Sequence, residues 1–290
     1  MIIIKIQGGL GNQLLQYSFG KVLEKTFKKK VSYDISFYDN KNTYTDRLFL
    51  LDRFNLVYRV ATTKEITKIR YPYGFLSKIL LFLRKISNKY IFKKYQVTYD
   101  EKFFYSIEKK DNLYLEGFWQ SYKYCLPVIE KLHKEITLKD GFGDDAKSFL
   151  EKINCVDSVA VHIRRGDYLL GGKNLQVLDK EYYKKSIDFL NANIKKPAYY
   201  IFSDDIDWVK ENFSDIFENA VYVSSSSVTD YEELLLMSSC NHIVMANSTF
   251  SWWSAILHNR EESHIIAPKD WKNVFVKDLS HVCLYSWKRF

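Results

Sequence analysis

From Ser158 onward the chain alternates apolar, β-branched runs with amphipathic runs of helical length. This alternation constrains the fold more than any other feature. "SVAVHIR" reads as a strand and "DKEYYKKSIDFLNAN" as a helix with Asp179 at its N-cap. The pattern repeats through "AYYIFSD" and "DIDWVKENF", "AVYV" and "TDYEELLLMSSC", "HIVMA" and "TFSWWSAILHN", and ends on a strand, "HIIAP". Such repetition implies a mostly parallel sheet covered by helices. The start of the chain follows the same rule. "IIIKI" stops at Gly8-Gly9, a helix runs from Asn12 to about Lys28 with Leu15, Phe19, Val22, Leu23 and Phe27 on one face, and "VSYDIS" is a second strand. The expected fold class is therefore α/β, with two Rossmann-like domains facing a cleft, residues 1–145 and 146–290, and a boundary at "GFGDD". Between Tyr38 and Asn112 no alternation is legible; "LYLEGFWQS" then reads as a strand ending at Gly117, and "YKYCLPVIEKLHKEI" as helical after its proline.

Composition excludes several classes. Hydrophobic residues make up 47% of the chain, and 11 Gly and 4 Pro are too few for a disordered or collagen-like protein. None of the four cysteines, Cys125, Cys155, Cys240 and Cys283, forms a CxxC, which argues against a zinc knuckle or redox pair and for free thiols in a reducing compartment. "MIIIKIQGG" lacks the basic leader and longer apolar segment of a signal peptide, and no run approaches the roughly 18 apolar residues of a membrane span. The expectation is a cytoplasmic protein. Its net charge of +8 suits an anionic partner. Much of that charge lies in a basic stretch, Phe75 to Lys94, with Leu76, Ile79, Leu80, Leu83 and Ile86 at helical spacing. It reads either as a core-facing helix with a solvated basic side or as a helix resting on anionic lipid, peripheral to the inner membrane face.

The candidate chemistry stands at strand ends. In "HIRRGDY", Arg164 and Arg165 lie just past a strand's carboxyl end, where open α/β sheets bind ligands. Two permanently charged planar forks suit diphosphate oxygens; a surface ion pair with an acid such as Asp167 is the plain alternative. His162 is either part of this site or a core histidine. In "FSDDIDW", Asp204, Asp205 and Asp207 include the D-x-D spacing of a metal–diphosphate motif, but the arginines already supply positive charge, which favours helix capping and no metal. In "MANSTFSWW", Asn247, Ser248, Thr249 and Phe250 form a strand-to-helix turn whose hydroxyls and amides make an anion site. GxSxG is missing, so Ser248 and Ser251 are not read as hydrolase nucleophiles, and Trp252 and Trp253 read as packing. Asp230, Glu232 and Glu233 open a helix; a carboxylate there either caps it or accepts paired hydrogens from a guanine edge. Gly9, Gly11, Asn12 and Gln13 form a loop expected to line the cleft. Asp34 raises a nicotinamide-dependent oxidoreductase, but Leu14 stands where GxGxxG needs its third glycine.

Taken in order, "GGLGNQLLQYSFG", "GFWQS", "HIRRGDY", "FSDD" and "LMSSCNHIVMANSTFSWW" resemble the α-1,2-fucosyltransferases of glycosyltransferase family 11, from residue 6 to about residue 270. The resemblance implies a GT-B-type fold and a GDP-fucose donor, which is a co-substrate, with no metal or other cofactor required. It implies transfer with inversion to the 2-hydroxyl of a galactoside in a cell-surface glycan such as an O-antigen. Arg164 then meets the diphosphate with Arg165 beside it, His162 and Glu233 lie near the guanosine, and Asp204, Asn247, Ser248, Thr249 and Phe250 also bind the donor. Glu233 departs from the more usual Asp, and Ser254 from a usual Gly. Charge growing on the leaving GDP would be met by Arg164, Arg165 and the amides around Ser248 and Thr249. The Gly8–Gln13 loop offers no carboxylate as a base; Asn12 and Gln13 can orient a hydroxyl but not deprotonate it. The competing class is a non-catalytic nucleotide or nucleic-acid binder, which suits the aromatics and the charge. It leaves unexplained why the arginines, the Ser/Thr turn and the acidic helix start all stand at strand ends of one sheet. The expected partners are thus GDP-fucose and a galactose-containing acceptor, and not a nucleic acid.

Overall fold

The two runs of alternating elements fold as two α/β units, Met1–Thr137 and Leu138–Phe290, in the computed structural model of the chain. The structure describes residues 1–39, 47–70, 89–94, 99–170, 176–217, 219–271 and 279–290. In the first unit, strands β1 (Ile2–Lys5), β2 (Val31–Asp34), β3 (Lys89–Lys94) and β4 (Asn112–Gly117) form a sheet in the order β2-β1-β4-β3, every pair parallel. Ile2, Ile3 and Ile4 are all fully buried, as consecutive apolar residues must be in a strand covered on both faces. The helix Leu10–Phe27 carries the chain from β1 to β2. Its Gly20 is a close-approach residue: a Cβ there would lie 2.1 Å from the Tyr33 hydroxyl, which donates to the Tyr17 carbonyl at 2.9 Å.

In the second unit, β5 (Asp157–Ile163), β6 (Pro197–Ser203), β7 (Val221–Tyr222), β8 (His242–Val244), β9 (Ile265–Ala267) and β10 (Lys288–Arg289) are again all parallel, in the order β10-β9-β8-β5-β6-β7. Counted from β5, this is the doubly wound order of nucleotide-binding sheets, in which the first and fourth strands lie side by side and the direction of winding reverses between them. The crevice outside the carboxyl ends of those two strands is where such sheets take their ligands. β5 ends just before Arg164, and β8 ends at Val244, from which Met245 and Ala246 lead to Asn247. Core residues of one face of the sheet, among them Val159, Val161, Ile201 and Val244, pack with Tyr183 and Leu190 of the covering helix into one cluster beneath the strand ends.

Two expectations are corrected. The division falls at Thr137, ahead of residue 145. The reason is Glu232, which accepts a hydrogen bond from the Gly143 amide at 2.7 Å and so ties the glycine turn and the following helix, Asp144–Asn154, to the second unit. The helix expected over Phe75–Lys94 does not hold at its end: Lys89–Lys94 is strand β3, paired from Lys89 with Asn112 to Lys94 with Gly117. The hydrogen-bonding edge of β4 outweighs helical spacing there, and the membrane-surface helix loses its most basic turn. Residues 75–88 lie outside the described residues. No helix among the described residues is long and apolar enough to cross a membrane.

Candidate active site

The register of β5 on β6 builds the centre of the site. The strands pair from Asp157 with Pro197 to Ile163 with Ser203, so the residues that follow continue as Arg164 opposite Asp204 and Arg165 opposite Asp205. Arg164 Nε pairs with Asp204 Oδ2 at 3.2 Å, and the Arg165 backbone amide donates to Asp204 Oδ1 at 2.9 Å. Arg165 Nη1 pairs with Asp205, and its guanidinium carbon stands 3.9 Å from the Trp208 ring centroid. Two adjacent guanidiniums are therefore tolerated because each faces its own carboxylate from the next strand. Asp205 occupies the N-cap position of the helix Ile206–Phe213 but makes no side-chain cap; its carboxylate is committed to Arg165 instead. Asp207, the other half of the D-x-D spacing, pairs with Lys210 at 3.0 Å. A Cβ on Gly166 would come within 2.6 Å of Asp204 Oδ2, so any larger residue would push that carboxylate off Arg164.

Asn247 and Ser248 lie across the crevice at the end of β8, and both are buried. Tyr168 connects the two sides. Its ring lies 5.8 Å from the Arg164 guanidinium carbon, and its hydroxyl donates to the Asn247 carbonyl at 2.8 Å. Asn247 Nδ2 donates to the Gln176 carbonyl at 2.8 Å, whereas its buried Oδ1 has no hydrogen-bond partner among the described residues. Ser248 caps the helix Thr249–Leu257, its hydroxyl accepting from the Phe250 amide at 3.3 Å. His162 is buried, with its ring centroid 5.6 Å from that of Phe250, and its Nδ1 likewise lacks a partner among the described residues. It is thus not a satisfied core histidine. Burial, reinforced by the charge of Arg164, pushes its pKa down to about 3, so the ring is neutral at any working pH.

The acidic helix start divides its labour. Glu232 is the cap: it accepts from the Thr229 amide and hydroxyl at 2.9 and 2.7 Å, in a reciprocal capping box, and from Gly143. Burial alone would raise its carboxyl, but these hydrogen bonds outweigh it and hold the group below its ordinary value. Glu233 interacts electrostatically with Asp204 and Arg164. Burial, against a hydrogen bond from Ser224 and together with the charges of Asp230 and Asp204, pushes its carboxyl up to about 8, while Arg164 opposes the shift. Trp252 and Trp253 are buried packing residues, as read from the sequence, and the Trp252 indole donates to the Val282 carbonyl at 2.7 Å. Ser254 is buried too, and its hydroxyl donates to the Leu234 carbonyl at 3.0 Å between two packed helices.

The first unit corrects two readings. Gln13 is fully buried and braces its loop: its amide donates to the carbonyls of Gly8 at 3.0 Å and Leu48 at 2.8 Å, and its oxygen accepts from the Leu50 amide at 2.9 Å. It is not placed to orient a substrate hydroxyl. Asn12 is partly exposed and accepts from Gln120 at 3.1 Å, joining the carboxyl ends of the neighbouring strands β1 and β4. Gly9 and Gly11 start the helix beside it. Asp34 is fully buried and accepts from the Tyr114 hydroxyl at 2.6 Å and the Ser36 amide at 2.9 Å. A carboxylate so occupied does not serve as a ribose ligand, which removes the support for the oxidoreductase reading. Sequence reading passed over Glu116, a buried carboxylate near the end of β4 that pairs with Lys5 at 2.9 Å.

The family model for glycosyl transferase family 11 matches residues 1–289. The chain belongs to glycosyltransferase family 11. An Escherichia coli α-1,2-colitosyltransferase of this kind is 32% identical over 277 residues, covering 93% of this chain and 92% of that one. The E. coli O-antigen biosynthesis glycosyltransferase WbnK is 29% identical over 290 residues, covering 92% and 93%. Human galactoside α-(1,2)-fucosyltransferase 1 is 28% identical over 162 residues, half of this chain and 43% of its own. The family 11 match spans both α/β units, so the loops of the first sheet and the arginine site of the second belong to one glycosyltransferase.

Proposed function

We propose that this family 11 glycosyltransferase moves L-fucose from GDP-β-L-fucose to the 2-hydroxyl of a galactoside, with inversion, in building a cell-surface glycan such as an O-antigen. The observation that carries this reading is the Arg164–Asp204 pair at the winding reversal of the second sheet, linked through Tyr168 to the Asn247–Ser248 turn. In the reaction the bond between fucose C1 and the β-phosphate oxygen breaks, its electron pair leaving with GDP. The acceptor oxygen bonds to C1 from the opposite face and gives up its proton to solvent water. The transition state has oxocarbenium character at C1 and growing negative charge on the diphosphate. Each arginine has its own aspartate, so net charge contributes little to stabilising that diphosphate. Stabilisation falls to N–H donors held in place before the reaction: the Arg164 guanidinium and the amides of Ser248 and Thr249. Glu233 accepts from the N1–H and 2-amino group of guanine.

A second donor is favoured by one observation, the 32% identity to a colitosyltransferase along 93% of the chain. Colitose is fucose without its 3-hydroxyl, so the same site chemistry serves either sugar. The test is a product analysis with GDP-fucose and GDP-colitose in parallel, each with a panel of galactosides. An α-1,2-linked fucosyl product, formed with the higher kcat/KM, is the expected result. A preference for GDP-colitose would reassign the donor, and no glycosidic product from either would overturn the reading.

A further inference from the structure

We propose that Arg165, Asp205 and Trp208 form a strut that positions Arg164 for the leaving diphosphate, and that Arg165 does not itself touch the donor. The inference rests on the reading of Arg164 as the diphosphate ligand, but it is carried by the surroundings of Arg165. Three of its contacts run to the turn after β6 and the first residues of the helix Ile206–Phe213, besides the Leu169 amide on its carbonyl. Its backbone amide is on Asp204, its Nη1 on Asp205, and one face of its guanidinium lies 3.9 Å from the Trp208 ring centroid. Turning Arg165 toward a phosphate would break the ion pair and the stack together.

The anchor is itself rigid. The Ser203 hydroxyl accepts from the Asp205 amide at 3.0 Å, and the Ser203 amide donates to the Ser224 hydroxyl at 2.9 Å, which fixes the turn to the sheet. Trp208 packs against the core cluster of the second unit, its ring centroid 5.6 Å from that of Phe213. Through Asp204 this rigidity reaches Arg164. One carboxylate oxygen holds the Arg165 backbone and the other holds Arg164 Nε, so the position of the first sets the angle of the second. A guanidinium is planar, and a carboxylate on Nε fixes the direction in which its two Nη groups point. The two arginines thus divide the work: Arg164 meets the ligand, and Arg165 is a positioning residue.

The test compares Trp208→Ala, Trp208→Phe, Asp205→Asn and Arg164→Ala in the full chain. It reads kcat and KM for GDP-fucose, the Kd of GDP and of guanosine, and Tm. Trp208→Ala should lower kcat at saturating donor and weaken GDP by about tenfold, the loss that a partly desolvated cation–π contact implies. Guanosine, which has no diphosphate, should bind as before, and Trp208→Phe should restore most of the activity. If Trp208→Ala does not fold, Asp205→Asn carries the same expectation. Normal kcat and GDP affinity in a folded Trp208→Ala or Asp205→Asn, with Arg164→Ala inactive, would overturn the strut alone. So would a loss shared equally by GDP and guanosine, which is the mark of a merely structural role. A normal Arg164→Ala enzyme would overturn the reading of the site and the strut with it.

Discussion

Arg164 carries the site at the scale of single residues. Arg164→Ala should lower kcat/KM for the donor by at least a hundredfold, about the cost of one preorganised transition-state donor. The fold should persist, which circular dichroism checks; a folded variant with near-normal kcat/KM would remove Arg164 from the chemistry. Glu233 gives a second prediction through pH. Its carboxyl is pushed up to about 8 in the folded protein, chiefly by burial. It therefore holds a proton that the unfolded chain releases near pH 4, and stability should fall as pH rises from there to about 8. Guanine donates to the ionised form, so GDP binding should release a proton and tighten as pH rises toward 8. Glu233→Gln should abolish both dependences and weaken GDP more than ADP; calorimetry in buffers of differing ionisation enthalpy reads the proton directly. The positions of Arg164 and Glu233 at a strand end and a helix start were legible in the sequence. The partners were not. Asp204 and Asp205 reach the arginines through strand register, which no local pattern in the chain encodes. Gln13 likewise looks like a ligand until the carbonyls of Gly8 and Leu48 and the amide of Leu50 are seen to occupy it.

Among elements, the helix Asp230–Ser239 serves both structure and site, because neighbouring residues of its first turn face different ways. Glu232 closes the capping box and fastens Gly143, and Glu233 turns toward Asp204 and Arg164. Glu232→Ala removes the acceptor for the Thr229 and Gly143 amides and should cost about 1–2 kcal/mol. Thermal denaturation should show a Tm lower by about 2–4 °C, with kcat nearly unchanged. An unchanged Tm would mean that water replaces the cap at no cost. The helices and strands after Ser158 were readable because each carries one clear period and a capping residue, as with Asp179, whose side chain accepts from the Tyr182 amide at 2.9 Å. Strand β3 was not, since "KYIFKK" gains its structure from the open edge of β4 and continues a helix-like spacing in sequence.

For the whole molecule, the alternation of elements announces two parallel sheets but not the order of their strands. Order depends on which side of the first strand each crossover packs, a tertiary outcome. It is the order β10-β9-β8-β5-β6-β7 that brings Arg164 and Asn247 to one crevice. The aspartates of that crevice are bound to arginines, so transfer should proceed without a divalent ion. Activity in excess EDTA should match the untreated enzyme, and loss restored by manganese or magnesium would recast Asp204 and Asp205 as metal ligands. The central claim is transfer to a particular oxygen, and one measurement addresses it most directly: the rate of GDP release from GDP-fucose with a β-galactoside, compared with its 2-deoxy analogue. The account predicts rapid release with the galactoside, a fucosyl group on O2 by NMR, and release with the 2-deoxy sugar no faster than slow hydrolysis in water. Equal release with both acceptors, or a fucosyl group on any other oxygen, would contradict it.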